Sequence, residues 1–173
     1  MADMKIVRAS VEDADALCEI FLGHIGSHPE YISHGEVQMG VGEGYVAEDG
    51  QFKARVSPLA RHYWMKYIYG NLTDGQSSAV FKAVGGDLQI VGFCVAAITH
   101  DGAQPFGMLC DVLVKEACRG GGVGTALLEA AMAWFREKGI KDIYLESGQN
   151  NHAAHEYFMR RGFVKVSEIY KLM

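Results

Sequence analysis

A glycine-rich run at residues 119–125 joins two segments of different periodicity, and this junction restricts the folds open to the chain. Residues 107–115, before the run, alternate as a strand does. Residues 122–138, within and after it, place apolar side chains along one helical face, and Gly139 is suited to end that helix. A strand, a glycine loop and a helix in this order predict a sheet covered by helices.

Periodicity and turn residues predict the other elements. The further predicted strands are 5–8, 79–84, 88–99, a buried strand at 140–146, and 163–172. Four further helices are predicted. The first starts after Ser10, and the second is short, at about 36–39. The third runs from Ser57 and Pro58 to an end at Gly70 and Asn71, and the fourth covers 151–161. We therefore expect a single domain over residues 1–173, an α+β fold with a mixed, mostly antiparallel central sheet.

Composition excludes several classes of protein. The chain is 49% hydrophobic and 21% charged, which is typical of a globular domain and unlike a disordered one. Its net charge of −5, without a basic stripe, argues against a nucleic-acid partner. No run reaches the roughly 18 apolar residues of a membrane span. No histidine or cysteine set has zinc spacing, so no metal is expected.

The cellular location is predicted from two weaker signals. Residues 1–13 lack the apolar stretch of a secretory signal. The four cysteines, at positions 18, 94, 110 and 118, form no CxxC pair and are expected to be reduced thiols. Both signals favour the cytoplasm, and a homodimer remains open.

The glycine run has the chemistry of a phosphate-binding loop. Glycines let the backbone approach a ligand, and the free N–H groups at a helix start attract anions. Arg119 adds a guanidinium suited to a pyrophosphate. A Walker A loop is excluded because Thr125, not lysine, follows Gly124. A dinucleotide-binding GxGxxG loop is one alternative, although the bulky Leu127 stands where that motif has its third glycine. A plain flexible turn is another.

Three motifs together resemble the GNAT superfamily of N-acetyltransferases. Arg119-x-x-Gly122-x-Gly124 resembles its R/Q-x-x-G-x-G/A signature for acetyl-CoA. Asp111 and the aliphatic residues after it resemble the family's fourth strand. Asn151-x-x-Ala154-x-x-Tyr157-Phe158-x-x-x-Gly162-Phe163 resembles the helix that follows its fifth strand. The resemblance covers about residues 91–166, and residues 23–55 match no motif of the family.

The resemblance implies a fold, a reaction and a set of cofactor-binding residues. The fourth and fifth strands would splay apart, and the pantetheine arm of acetyl-CoA, the acyl donor, would lie between them. The acetyl group would pass directly to a primary amine of a small molecule or protein. The residues that would bind the cofactor are Val112, Val114, Arg119, Gly120, Gly121, Gly122, Val123, Gly124, Thr125, Asn151 and Phe158. Asn151 could equally be only a helix N-cap.

The catalytic positions depart from the family pattern. Some relatives carry glutamate where this chain has Cys110, and the family's general-acid tyrosine is here Phe158. Two residues remain as catalytic candidates, each with a structural alternative. Asp111 is either a base or a structural hydrogen-bond acceptor, on the strand face opposite Cys110 and Val112. Tyr157 is either the acid or a core residue with a solvated hydroxyl.

Because both usual acid and base positions are replaced, a non-catalytic acyl-CoA-binding module is the alternative to an enzyme. The C-terminal half carries the cofactor motifs, so acceptor choice is expected to lie between about His24 and Trp64. That segment is glycine-rich, as binding loops often are, and carries Glu36, Glu43 and Glu48. Carboxylates there suit a cationic amine.

Overall fold

The computed structural model describes residues 4–172. The strands in this range are β1 (Lys5–Arg8), β2 (Gly42–Val46), β3 (Phe52–Val56), β4 (Ser78–Val84), β5 (Ile90–Thr99), β6 (Phe106–Val114) and β7 (Ile143–Leu145). The helices are α1 (Ala14–Ser27), α2 (His34–Met39), α3 (Ala60–Thr73), α4 (Val123–Glu137) and α5 (His152–Met159). The order of elements agrees with the sequence prediction, apart from the hairpin β2–β3 and the C-terminal segment.

Five strands form the main sheet, in the order β1-β4-β5-β6-β7. The pairs from β1 to β6 are antiparallel, whereas β6 and β7 are parallel. A parallel neighbour requires a crossover connection, and α4 supplies it between β6 and β7. The predicted α+β class with a mixed, mostly antiparallel sheet is therefore confirmed.

Helices cover both faces of this sheet, and each face has its own core. On one face α1 and α3 bury Phe21 and Trp64, whose rings stack 4.8 Å apart against Phe93 of β5. On the other face α4 buries Leu127 and Phe135 against the opposite side of β4, β5 and β6. Because the sheet is buried on both faces, the side chains of β6 alternate between two protein layers.

The boundaries of α3 and β7 differ from the prediction. Helix α3 begins at Ala60 rather than at Ser57, which instead caps the turn by accepting from Leu59 N at 3.2 Å. The same helix continues through Gly70 to Thr73, since a single exposed glycine costs only about 1 kcal/mol in a helix. Strand β7 is three residues long and half-buried, so the prediction of a buried strand over 140–146 was too long.

The C-terminal segment, residues 163–172, forms no strand, so this prediction was wrong. Its alternating pattern is that of a strand, but a strand also needs a neighbour with which to exchange backbone hydrogen bonds. The hairpin β2–β3 was missed for the opposite reason: its glycines suggested a loop. Gly42 and Gly44 are required there because a Cβ would meet Ile32 at 2.6 Å and Phe52 at 2.3 Å.

Candidate active site

The site begins where β6 and β7 separate. Only Gly107–Leu109 of β6 pair with β7, so residues 110–114 have no strand beside them on that side within the described chain. The register between β5 and β6 also shifts here: Val95 pairs with Asp111, but Ala96 pairs with Leu109. Cys110 is therefore the extra residue of a β-bulge. Bulges often lie beside active sites because they redirect side chains.

The backbone of the unpaired stretch faces the gap at alternate residues. Lys115 N donates to Val91 O of β5 at 2.9 Å, so residues 115, 113 and 111 point their backbone groups toward β5. Val112 and Val114 therefore direct theirs away from β5. The carbonyl of Val114 is indeed reached from the gap, by Arg119 Nε at 3.1 Å. Both valines thus offer backbone groups where an extended amide ligand would lie.

The glycine loop leads directly into α4. Gly120 and Gly122 have φ of +78° and +83°, which only glycine adopts readily. Gly122 is the N-cap and provides no side chain, so the N–H groups of Val123, Gly124 and Thr125 have no capping partner among residues 4–172. These donors, with Gly121 on the connecting turn, open at the positive end of a fifteen-residue helix.

Arg119 is held at the edge of this loop. Besides its bond to Val114 O, its Nη2 lies 3.4 Å from His24 Nδ1 at the end of α1. Burial, and next the charge of Arg119, lowers the pKa of His24 to about 4, so the imidazole is neutral and can accept this bond. His24 is a supporting residue that the sequence did not reveal, since 95 positions separate it from Arg119.

Tyr157 lies behind the loop. Its ring packs in the core beneath α4, and its hydroxyl is buried without a hydrogen-bond partner among the described residues. The expected solvated hydroxyl was therefore wrong. A Cβ at Gly124 would lie 3.4 Å from this oxygen and 3.7 Å from Val114. The guanidinium of Arg161 covers the ring at 3.6 Å and donates to Thr125 Oγ1 at 2.6 Å.

Asn151 and Phe158, both predicted to bind the cofactor, lie at the start and in the last turn of α5. Asn151 is the N-cap of α5, and its Oδ1 accepts from Ala154 N at 3.2 Å. Its side-chain amide N–H groups have no protein partner in the range described, so the cap leaves them free for a ligand. Phe158 packs edge-to-face against Tyr157 and Phe163, at the position where the family pattern has tyrosine.

Asp111 lies on the α3 face of β6, and the hydroxyl of Tyr67 donates to its Oδ2 at 2.7 Å. Burial raises the pKa of Asp111 from 3.8 to about 6, although the Tyr67 bond opposes this shift. Cys110 also lies beside Tyr67, so Asp111 is not on the face opposite Cys110 as predicted. The bulge is the reason, because it interrupts the alternation between the two residues.

A second carboxylate, Glu36 of α2, lies near Asp111. The pKa of Glu36 is raised to about 7, mainly by burial; the backbone N–H of Ser33 opposes this shift and the charge of Asp111 adds to it. Ser33 N donates to Glu36 Oε2 at 2.6 Å. Glu146, just after β7, adds a third carboxylate and accepts from Gly35 N at 2.7 Å. Three acidic side chains from distant parts of the chain thus converge beside the gap.

Few positive charges lie beside these three carboxylates in the described chain. In residues 4–172 neither Asp111 nor Glu36 has a salt-bridge partner, and Glu146 has only His34, at 3.8 Å. Other residues of the predicted acceptor segment are engaged elsewhere. Glu43 pairs with Arg55 at 2.9 Å across the hairpin, and Trp64 is in the core. The structure therefore singles out Glu36 from that segment.

Neither a membrane-spanning helix nor a metal-binding cluster occurs in the described range. No helix there combines the length and apolarity needed to cross a membrane. Likewise, no three histidine, cysteine, aspartate or glutamate residues between positions 4 and 172 are grouped so as to hold a metal ion.

Fold and site together are those of an acetyltransferase. The family model for the acetyltransferase (GNAT) family matches residues 47–163, and the chain belongs to this family. It is accordingly an acyltransferase. The match includes β6, the glycine loop, α4 and α5, and it begins after α2.

Individual relatives agree with this assignment. The chain is 32% identical to aminoglycoside N(6')-acetyltransferase type 1 of Stenotrophomonas maltophilia, over 57% of this chain and 67% of that protein. It is 25% identical to N-alpha-acetyltransferase 30 of Schizosaccharomyces pombe, over 62% of this chain and 72% of that one. The solved structure of aminoglycoside N-acetyltransferase AAC(6')-Iy in complex with CoA shares the fold, with a TM-score of 0.71, 16% identity, and coverage of 100% and 95%.

Proposed function

We propose that this chain transfers an acetyl group from acetyl-CoA to a primary amine that arrives as a cation, with Asp111 as the proton acceptor. The observation that carries the proposal is a juxtaposition. The unpaired stretch of β6 directs the backbone groups of Val112 and Val114 to its open side, with the glycine loop at one end and the Asp111–Glu36 carboxylates at the other. A donor with a phosphate end and a reactive acyl end fits this order.

The donor side is supported by unused hydrogen-bonding groups. The pyrophosphate would accept from the N–H groups that open α4, and Arg119 would add charge. The pantetheine amides would pair with the backbone of Val112 and Val114. The free side-chain N–H groups of Asn151 would bind the same arm. The buried hydroxyl of Tyr157, 3.4 Å from where a Cβ at Gly124 would lie, has no partner among the described residues and would be free to donate to the same ligand.

The acceptor side follows from charge. An amine with a pKa of about 10.4 is an ammonium ion near neutral pH, and the Asp111–Glu36 pair would attract it. Asp111 first takes a proton from the ammonium and so frees a lone pair; the nitrogen then attacks the thioester carbon, the C–N bond forms and the C–S bond breaks. Of the two protons the nitrogen loses, one goes to Asp111 and then to water, and the other neutralises the leaving thiolate. A backbone N–H near Val112 would stabilise the oxyanion.

The relatives support an amine acceptor without identifying it. One is named for acetylation of an aminoglycoside and another for acetylation of an N-terminal α-amino group. Both acceptors carry a primary amine that is protonated in water. We further propose that residues 1–173 act as a single domain in the cytoplasm.

Glu36→Gln tests the acceptor site. At pH 8, above the Glu36 pKa of about 7, the substitution keeps the shape and the contact with Ser33 N but removes a negative charge beside Asp111. We expect the acceptor KM to rise by about tenfold, on the scale of a partly buried charge interaction, while the acetyl-CoA KM stays unchanged. Steady-state kinetics with each substrate varied separately give both constants. The matched control, Glu43→Gln, removes a hairpin charge that Arg55 already neutralises, and should change neither. Equal loss of affinity for both substrates would contradict this acceptor assignment.

A further inference from the structure

Residues 31–36, which lead into α2 and form its first turn, contact both sides of the gap between β6 and β7, and we call them the strap. On the β7 side, Gly35 N donates to Glu146 Oε1 at 2.7 Å, just after the end of that strand. On the β6 side, Glu36 is close enough to Asp111 for this charge to raise the Glu36 pKa. The strap therefore bridges the gap beside Asp111.

A second contact, of backbone with backbone, holds the strap at its start. Gly148 is buried in the loop after β7, and a Cβ there would lie 2.1 Å from Tyr31 O and 3.2 Å from Ile32 O. The first distance is too short for any side chain. Gly148 is not among the glycines with positive φ, so the approach of the strap, rather than the backbone conformation, requires glycine at this position.

The loop is the fixed partner in this contact. Gly148 O accepts from Asn151 N at 2.9 Å and lies 3.0 Å from His155 Nε2, so the first turn of α5 holds the loop from the other side. Helix α2, by contrast, has only six residues, and a helix of that length has little stability of its own. A change at the contact should therefore move the strap rather than the loop.

The position of the strap determines where Glu36 lies. Ser33 and Glu36 form the capping box of α2, with Ser33 N donating to Glu36 Oε2 at 2.6 Å and Glu36 N donating to Ser33 Oγ at 3.3 Å. The Glu36 carboxylate is thus fixed within the strap and moves with it. A strap that left the loop would take Glu36 away from Asp111.

We propose that Gly148 and Glu146 are positioning residues for acceptor binding, which hold the strap across the gap so that Glu36 meets the amine beside Asp111. The inference rests on the acceptor site proposed above and adds the residues that assemble it. In this role neither residue has to touch the reacting atoms. Displacement of the strap would leave the acetyl-CoA contacts complete and weaken only the attraction for the ammonium ion.

Gly148→Ala tests the proposal by adding one methyl group at the contact. We expect the acceptor KM at pH 8 to rise by about tenfold, as in Glu36→Gln, with unchanged acetyl-CoA affinity in calorimetry. Adding Glu36→Gln to this variant should raise the KM little further, because residues that act through one interaction are not additive. The control Gly26→Ala, where a Cβ meets nothing within 4 Å, should change neither constant.

Two NMR measurements test the strap without acetyl transfer. Glu146→Ala should speed hydrogen exchange of the Gly35 amide, whereas Glu146→Gln should keep it slow, because its side-chain oxygen can still accept from Gly35 N. In Gly148→Ala the pKa of Glu36 should fall from about 7 toward 4.5, because the carboxylate leaves its buried site beside Asp111.

The outcomes separate this proposal from the proposed function. If no amine is acetylated, the proposed function fails, and the exchange and titration measurements still decide whether these residues hold the strap. An unchanged acceptor KM in Gly148→Ala, or an equal loss of acetyl-CoA affinity, would overturn the positioning role. A Glu36 pKa that stays near 7, or equal exchange of Gly35 in both Glu146 variants, would overturn it as well. Should Gly148→Ala not fold, the Glu146 pair alone is decisive, since it alters no backbone contact.

Discussion

Asp111→Asn is the substitution that distinguishes a proton acceptor from a structural aspartate. Asparagine keeps the size of the side chain and an oxygen that can accept from Tyr67, but it cannot take a proton at neutral pH. General-base catalysis contributes about 10²- to 10⁴-fold, so we expect kcat to fall by that factor. Calorimetry should show unchanged acetyl-CoA affinity, because Asp111 is on the α3 face and the proposed pantetheine contacts are backbone groups.

The pH dependence provides a second readout of the same group. Burial raises the pKa of Asp111 to about 6, and the base form is the carboxylate, so kcat/KM should rise with pH through about 6. Glu36, with a pKa of about 7, ionises next and should add to the attraction for the acceptor. The rise of kcat/KM near pH 6 should be absent in Asp111→Asn.

The free energy of unfolding should fall as pH rises, whereas kcat/KM rises. A carboxyl whose pKa is higher in the folded chain than in the unfolded one stabilises the fold below about pH 4, and this contribution is lost as pH rises through about 6. A rise of the Asp111 pKa from 3.8 to about 6 lowers the free energy of unfolding at pH 8 by roughly 3 kcal/mol. Asp111→Asn should therefore unfold at a higher urea concentration than the unmodified chain at pH 8. A variant with near-normal kcat, or one that is markedly less stable at pH 8, would refute the assignment of Asp111 as a buried base.

Three further substitutions address the donor side. Gly124→Val would place side-chain atoms against the Tyr157 hydroxyl and in the phosphate path, so calorimetry should detect no acetyl-CoA binding. The control Gly75→Ala, where a Cβ meets nothing within 4 Å, should bind acetyl-CoA normally. Arg119→Ala removes a charge-assisted hydrogen bond and should weaken binding by about 1.5–3 kcal/mol, and unchanged affinity would exclude this residue from the phosphate site. Tyr157→Phe removes only the buried hydroxyl, and we expect the acetyl-CoA KM to rise more than kcat falls, because a thiolate leaves with little help from an acid; a loss confined to kcat would instead make Tyr157 the acid.

The strand–loop–helix geometry around the glycine run could be predicted from the sequence because its parts are close along the chain. The glycine run, the end of β6 and the start of α4 lie within about 20 residues, and their local spacing determines their geometry. Gly120 and Gly122 are glycines because the turn needs positive φ, a requirement that a sequence displays directly.

The acceptor side could not be predicted in the same way, because its residues meet only through tertiary packing. Glu36 reads as an ordinary capping-box residue with Ser33, and it fulfils that role as well. Its approach to Asp111 depends on tertiary contacts of α2, such as the bond from Gly35 N to Glu146, which local spacing does not show. The bulge at Cys110 was also hidden, since it is defined by the register between β6 and β5, which the sequence of one strand does not show.

The C-terminal segment, residues 163–172, shows the limit of periodicity as a predictor of strands. Alternation in residues 163–172 indicates the conformation that the segment can adopt, but the partner strand determines whether it does. In the described chain β7 offers that partner and is not used.

The most direct test of the whole account is acetyl transfer itself. Purified protein is incubated with acetyl-CoA and a panel of primary amines, and free thiol is measured together with the mass of each amine. The account predicts that at least one amine gains a single acetyl group, with one thiol released per acetyl transferred, and that Gly124→Val shows neither. Saturable binding of acetyl-CoA without acetylation of any amine would contradict it, and would leave an acyl-CoA-binding module in place of an enzyme.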